Sequence, residues 1–292
     1  MNLNNKLSNP LQCPVCRSSL IKSLTSYYCS HNHHFDQSKN GYTNLLLANQ
    51  KRSSSPGDSK EMVQARFNFL RKGYYQPIAQ AISDYLQEQV ICSSYTPLTL
   101  IDIGCGVGYY LDFIKQNYPQ TIQLCGIDIS KKAIKKAASA YQDSAHWSVG
   151  SMKDLPFMTQ SVEVVLSVFA PLQTSEIVRI LNNNGFLLTV TPAIDHLIEY
   201  RIQLFDQIKT IDNHKIEDKL KKDFALLKHL PIRYQIQLEQ EDISDLLKMT
   251  PYYWKSYSQR QQTLLSLPQM TVTVDVIVCL FQKKLSSSNF SN

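Results

Sequence analysis

The chain lacks any apolar run near the roughly eighteen residues that a membrane-spanning helix needs. Its opening segment, MNLNNKLSNP, is polar, without the charged-then-greasy pattern of a secretory leader. No membrane association is expected, and a cytoplasmic location is. An even cysteine framework is also missing: seven cysteines are spread over 292 residues, an odd number suited to a reducing compartment. Cys92, Cys105, Cys125 and Cys279 read as ordinary buried thiols. No internal repeat is visible, and low complexity is confined to the SSSNFSN tail. Acidic residues are scarce at one end. Residues 1–60 hold seven Lys or Arg against two carboxylates, a net of +5 in a chain whose total is +6. Such a concentrated field suits a phosphate-rich partner or, equally, a solvated surface.

With 43% hydrophobic and 18% charged residues, the chain can bury a large core, and its length favours a main domain with a small accessory module. The module begins at Cys13. Cys13 and Cys16 form a C-x2-C knuckle around Pro14, the spacing that presents two thiolates to one tetrahedral ion. Cys29 comes thirteen residues after Cys16, and His33 follows at C-x3-H spacing, completing a Cys3His set. His31 and His34 compete for the fourth place. Redox chemistry is the other use of C-x2-C, but no strand leads into this one and no helix starts at it. Four protein donors leave a zinc ion no open position, so its role is folding rather than catalysis. Residues 1–50 are expected to form this zinc-binding module, KRSSSPGDS at 51–59 a linker, and residues 60–292 the second domain.

Within the second domain, a capping pattern at D-S-K-E opens one helix and Pro77 opens another. Strand-like runs LTLIDI, IQLCGID, VEVVLSV and FLLTVTP then alternate with helical stretches such as KKAIKKAASAYQ, which predicts a parallel sheet covered by helices. IRYQIQL and TVTVDVIVCLF suit an antiparallel edge pair. The first of the alternating strands runs into D-x-G-x-G-x-G: Asp102, Gly104, Gly106 and Gly108. Glycines there let a ligand lie against bare backbone at a helix N-terminus. The next strand ends at Asp128, where a carboxylate can accept ribose hydroxyls. A dinucleotide enzyme uses a related turn, but an acid on the strand itself matches the S-adenosylmethionine version. GSMKDLPF at 150–157 follows the third strand and is expected to pass the adenine, with backbone near Ser151 and Met152 serving where related enzymes carry an acid.

The whole pattern resembles the bacterial 23S ribosomal RNA guanine-N1 methyltransferase family. The likeness runs through CPVC, HHFDQSKNGYTNLLL, KRSSSPGDSKEMVQARFNFLRKGYYQPI, DIGCGVGYY, VFAP, TPAIDHLIEY and MTPYYW. It implies an α/β, class I (Rossmann-like) methyltransferase with a seven-stranded, mostly parallel sheet and a small N-terminal zinc ribbon. It also implies that Cys13, Cys16, Cys29 and His33 hold zinc. S-adenosylmethionine is then expected to touch Tyr75, Asp102, Gly104, Gly106, Val107, Asp128 and His196. Val107 stands where the family often has an acid, so any contact made by that carboxylate is missing. The implied substrate is a guanine in hairpin 35 of 23S rRNA, with VFAP and TPAIDHL nearer the position-745 subfamily than the position-748 one, and the implied assembly is a homodimer.

Methyl transfer demands an in-line approach, so positioning and desolvation carry much of the catalysis. VFAP holds no ionisable group, and no general base is identified. A guanine attacked at N1 must be unpaired or flipped out. Phe169, Tyr252, Tyr253 and Trp254 are candidates to stack on it, or else core aromatics. Two other functions are open to the same residues: methylation of a small molecule, and RNA binding without catalysis.

Overall fold

The computed structural model describes residues 9–285 apart from 52, 54, 55, 92–97, 119–121 and 213. The expected linker therefore lies partly outside the described residues, and Cys92 and the SSSNFSN tail lie wholly outside them. The amino-terminal segment is too short and polar to bury a core of its own, and its strands are brief. β1 (Ile21–Lys22), β2 (Ser26–Tyr28) and β3 (His34–Asp36) form a three-stranded antiparallel sheet. β4 (Tyr42–Asn44) leaves that sheet for the main one.

Helix α1 (Lys60–Arg71) starts at Ser59, whose hydroxyl accepts from the Met62 amide at 3.2 Å. Glu61 in the first turn and Arg71 in the last match the helix dipole. Its apolar side, including Val63, Phe69 and Leu70, is buried, and Gly73 at φ +81° ends the run. α2 (Gln76–Tyr85) follows with Pro77 in its first turn, a position where the missing amide costs nothing. Then come β5 (Leu98–Ile103), α3 (Tyr109–Asn117), β6 (Ile122–Asp128), α4 (Lys131–Ala140) and β7 (His146–Val149). The alternation continues through β8 (Val162–Val168), α5 (Thr174–Ile180), β9 (Leu181–Pro192), α6 (Ile198–Leu204) and α7 (His214–Leu220). β10 (Phe224–Glu239), α8 (Gln240–Lys248), α9 (Tyr252–Lys255), α10 (Ser258–Leu265) and β11 (Gln269–Lys283) complete the chain.

All six residues of β5 are buried, which requires cover on both faces of the sheet and places this strand at its centre. The order is β10-β11-β9-β8-β5-β6-β7-β4. β9, β8, β5, β6, β7 and β4 run parallel, while β11 pairs antiparallel with both β9 and β10. The seven expected strands are present, and the module's own β4 adds an eighth beside β7. Two apolar cores flank the sheet. One gathers Phe69, Ile78, Leu111, Ile134, Trp147 and Leu246. The other joins Ile101, Ile103, Phe157, Ile177 and Ile180 to Leu11, Leu20 and Tyr27 of the amino-terminal module. That module is thus built into the main core, where each such apolar side chain contributes about 1.5–3 kcal/mol of burial.

Candidate functional site

Two tight turns bring the four predicted zinc donors together. In the first, Arg17 at φ +67° donates its amide to the Cys13 carbonyl at 2.9 Å. In the second, Asn32 at φ +60° does the same to Cys29 at 3.0 Å. The donor atoms of Cys13, Cys16, Cys29 and His33 all lie within 4.8 Å of one another. Cys13 Sγ is 3.6 Å from His33 Nδ1, Cys16 Sγ 3.6 Å from Cys29 Sγ, and Cys29 Sγ 3.3 Å from His33 Nδ1. A tetrahedron with metal–ligand bonds of 2.0–2.3 Å has edges of about 3.3–3.8 Å, so the set fits zinc. The Ser18 hydroxyl, 3.0 Å from Cys16 Sγ, brings that thiol down to about 5, toward the thiolate that a metal binds. His31 instead sits beside the Ser30 hydroxyl, and His34 stacks on Tyr28. Neither belongs to the cluster.

The ribbon also shapes the 150–157 loop. The Gln12 amide donates to the Pro156 carbonyl at 3.0 Å, and the Met158 amide to the Pro10 carbonyl at 2.8 Å. Arg17 pairs with Asp154 at 2.6 Å, and Gln50 donates to the same carboxylate at 2.7 Å. Ser151 is buried, with its hydroxyl accepting from the Lys153 amide.

At the end of β5 the chain turns through Gly104 at φ +78° and Gly108 at φ +83°. A Cβ on Gly104 would stand 2.8 Å from Ala170 Cβ, and one on Gly108 only 2.5 Å from the Trp147 ring, so neither position admits a side chain. Asp128 at the end of β6 accepts from the Gly106 amide at 3.0 Å and the Ser130 amide at 2.7 Å. Each of its oxygens keeps a second lone pair for another donor.

Asp102 differs. It is 1% exposed, and neither carboxylate oxygen has a hydrogen-bond partner among the described residues. Burial, with a smaller push from Asp128, raises its carboxyl to about 8. The Tyr110 hydroxyl nearby in the sequence is likewise buried and has no partner among the described residues. Orphaned polar groups of this kind are costly to bury, and a cationic amino-acid moiety with ribose hydroxyls supplies what Asp102 and Asp128 lack. The residues present therefore fit S-adenosylmethionine.

Tyr75 and His196, far apart in sequence, meet beside the end of β8. Their rings are 6.4 Å apart, and both border Phe169, which lies 5.9 Å from Tyr75 and stacks on His196 at 5.5 Å. Phe169 holds φ +53° yet is 39% exposed, an unfavourable conformation for an aromatic residue with little burial in return. Burial, then Arg201, pushes the His196 imidazole down to about 4. Its Nδ1 accepts from the Asp275 amide at 3.3 Å, which leaves the proton on Nε2. His196 is therefore a neutral donor at physiological pH and is unsuited to accept a proton there. Val107 is buried. Of the other proposed stacking aromatics, Tyr252 and Tyr253 are half-buried, whereas Trp254 is 64% exposed.

Sequence reasoning missed Arg66. This α1 residue pairs with Asp58 at 3.0 Å, donates to the Met249 carbonyl at 3.0 Å, and lies 3.4 Å from where a Gly106 Cβ would be. Its only signal was an arginine on the otherwise apolar side of KEMVQARFNFL.

Residues 11–54 match a zinc-ribbon family described as "RlmA, N-terminal", and residues 100–185 match a methyltransferase-domain family. A Bacillus subtilis (strain 168) protein named "Putative 23S rRNA (guanine-N(1)-)-methyltransferase YxjB" is 32% identical over 279 residues, covering 93% of this chain and 96% of its own. The "23S rRNA (guanine(748)-N(1))-methyltransferase" of Streptomyces fradiae is 28% identical, covering 92% and 96% respectively. Among solved structures, a methyltransferase-like protein of Bacillus halodurans superposes with a TM-score of 0.47 at 14% identity, covering 70% of this chain and 100% of that one.

Proposed function

Because the chain belongs to the family of 23S rRNA (guanine-N1) methyltransferases, we propose that it methylates N1 of a guanine in hairpin 35 of 23S rRNA as a cytoplasmic homodimer. S-adenosylmethionine supplies the methyl group, carried on a sulfonium that is already a good leaving group. Zinc bound by Cys13, Cys16, Cys29 and His33 is structural, since the protein fills all four positions. Asp102 and Asp128 would hold the two polar ends of the cofactor, with the Gly104–Gly108 backbone between them and Val107, Tyr75 and His196 around it.

Guanine N1 carries a proton at neutral pH, which must pass to solvent before the methyl arrives, and the site must stabilise the anion that this leaves on N1 and O6. A neutral imidazole with its proton held on Nε2 can do this as a donor, and Phe169 offers an exposed face for the unpaired purine. The observation that carries the reading is the orphaned Asp102 carboxyl beside the glycine turn, on a sheet that the ribbon helps to build. One fold thus holds the methyl donor at a set distance from a basic, metal-stabilised arm.

The test is methylation of 23S rRNA from a strain lacking the gene, using labelled cofactor and then primer extension across hairpin 35. N1 methylation blocks pairing, so a new stop locates the base. A stop at 745 accords with the VFAP and TPAIDHL wording, and one at 748 with the name of the Streptomyces relative. Label in a small-molecule extract and none in RNA sinks the reading.

No helix among the described residues is long and apolar enough to cross a membrane. The dimer is tested by sedimentation of the zinc-loaded protein.

A further inference from the structure

Helix α4, KKAIKKAASA, breaks a local rule. It carries four lysines and no acid, and two of those lysines stand in its first turn, where the positive end of the helix dipole repels them. The inner face is ordinary: Ala133, Ile134, Ala137 and Ala138 are buried. Outward, Lys131, Lys132 and Lys135 are exposed. Lys136 lies 3.9 Å over the Phe67 ring, and Arg71 of α1 lies 5.3 Å from the same ring. Two cations thus share one aromatic ring with no carboxylate between them. Among the described residues, none of these five cations makes an ion pair. The nearest acids in sequence leave the cations free: Asp128 accepts from the Gly106 and Ser130 amides, and Asp143, exposed just beyond the helix, forms no ion pair with any of the five among the described residues.

Position makes the charge informative. At its start, α4 is capped by Ser130, whose amide donates to Asp128 of the cofactor site. At its far end, Ser139 accepts from Asn40 of the ribbon at 2.8 Å, next to Lys39. The helix therefore bridges the basic module and the cofactor turn. Its ten residues span about 15 Å, some four nucleotide rises along a strand.

We propose that the exposed face of α4, with Arg71, is a docking strip for the phosphate backbone of the RNA substrate between the ribbon and the methyl donor. This rests on the RNA-methylation reading. Lysines that form no ion pair among the described residues, even though Lys136 donates to Gln64 at 3.2 Å, give up none when they meet phosphate, and each contact releases condensed counterions.

The test uses full-length, zinc-loaded protein with Lys131, Lys132 and Lys135 replaced together by Gln, and separately by Arg. Methyl transfer to a 23S rRNA transcript is followed against RNA concentration at several salt concentrations, with S-adenosylmethionine affinity measured by calorimetry. The Gln variant is expected to raise KM for RNA by about tenfold, flatten the log affinity against log salt slope by about 2–3 units, and leave kcat and cofactor affinity within twofold. The Arg variant should behave as wild type. A Gln variant with unchanged KM and salt slope overturns the strip while leaving RNA methylation intact. A wild-type protein that binds cofactor yet labels no RNA overturns the methylation reading, and the strip falls with it.

Discussion

Asp102 shows how far one residue can be read. Its place in D-x-G-x-G-x-G made it a cofactor residue from sequence, but the sequence could not show that both oxygens lack partners among the described residues. The sign of its pH effect follows. A carboxyl raised from 3.8 to about 8 is tolerated while protonated, so the folded form carries no penalty below 3.8 and loses stability progressively as pH rises from 3.8 through 8. Asp102→Asn removes that penalty. Its stability to urea should match wild type only below about pH 4 and exceed it increasingly up to pH 8.5, by an amount bounded at ~6 kcal/mol, while S-adenosylmethionine affinity falls at least about tenfold. A variant less stable than wild type at pH 8.5 would mean that the carboxylate has a protein donor after all. His33 was likewise legible only in part, since three histidines competed and the turn at Asn32 decides among them. Tyr75 and His196 were not legible from spacing at all. Their proximity arises where α2 and the end of β9 converge on β8, and only the family resemblance pointed to them.

At the scale of elements, alternation of buried runs and amphipathic stretches was enough to anticipate the parallel sheet and its antiparallel edge. β4 was not anticipated, because three residues carry no periodicity and their pairing with β7 is a tertiary event. The ribbon is fastened there by His146, whose Nδ1 lies 3.1 Å from the Tyr27 hydroxyl and whose Nε2 lies 3.1 Å from the Ser148 hydroxyl. Burial, with Lys22 second, pushes His146 down to about 4. A histidine lowered in the fold stabilises it above the unfolded value of 6.5, and that stability is lost as pH falls from 6.5 through 4. The difference in urea midpoint between wild type and His146→Gln should therefore shrink across this window, by up to ~3 kcal/mol. A constant difference would show an imidazole that stays neutral at no cost. Metal removal follows the same logic. Since Leu11, Leu20 and Tyr27 belong to a core that includes β5, a strong chelator should lower the melting temperature of the whole protein, by about 2–4 °C for each kcal/mol lost. A separate low-temperature transition, with the main one unmoved, would show instead that the ribbon unfolds alone.

Across the whole molecule, the site is assembled at the carboxyl ends of the parallel strands, where open α/β sheets bind their ligands. Arg66 ties the segments that frame it, linking Asp58 ahead of α1 to Met249 after α8, directly above Gly106. Asp58 is close to it in sequence but Met249 is 183 residues away, which is why a clasp between the first and last thirds of the chain left no mark in the motifs. Arg66→Ala removes three things at once: the ion pair with Asp58, the donor to Met249, and the cover over the glycine turn. Loss of the first two should destabilise the protein by about 1–3 kcal/mol. Loss of the third should speed amide exchange at Gly104–Gly108 and weaken S-adenosylmethionine binding about tenfold. The two readouts separate a clasp from a contact. If affinity falls while exchange in the turn is unchanged, Arg66 acts on the cofactor directly; if exchange quickens with it, α1 is the cover that keeps water from the methyl donor.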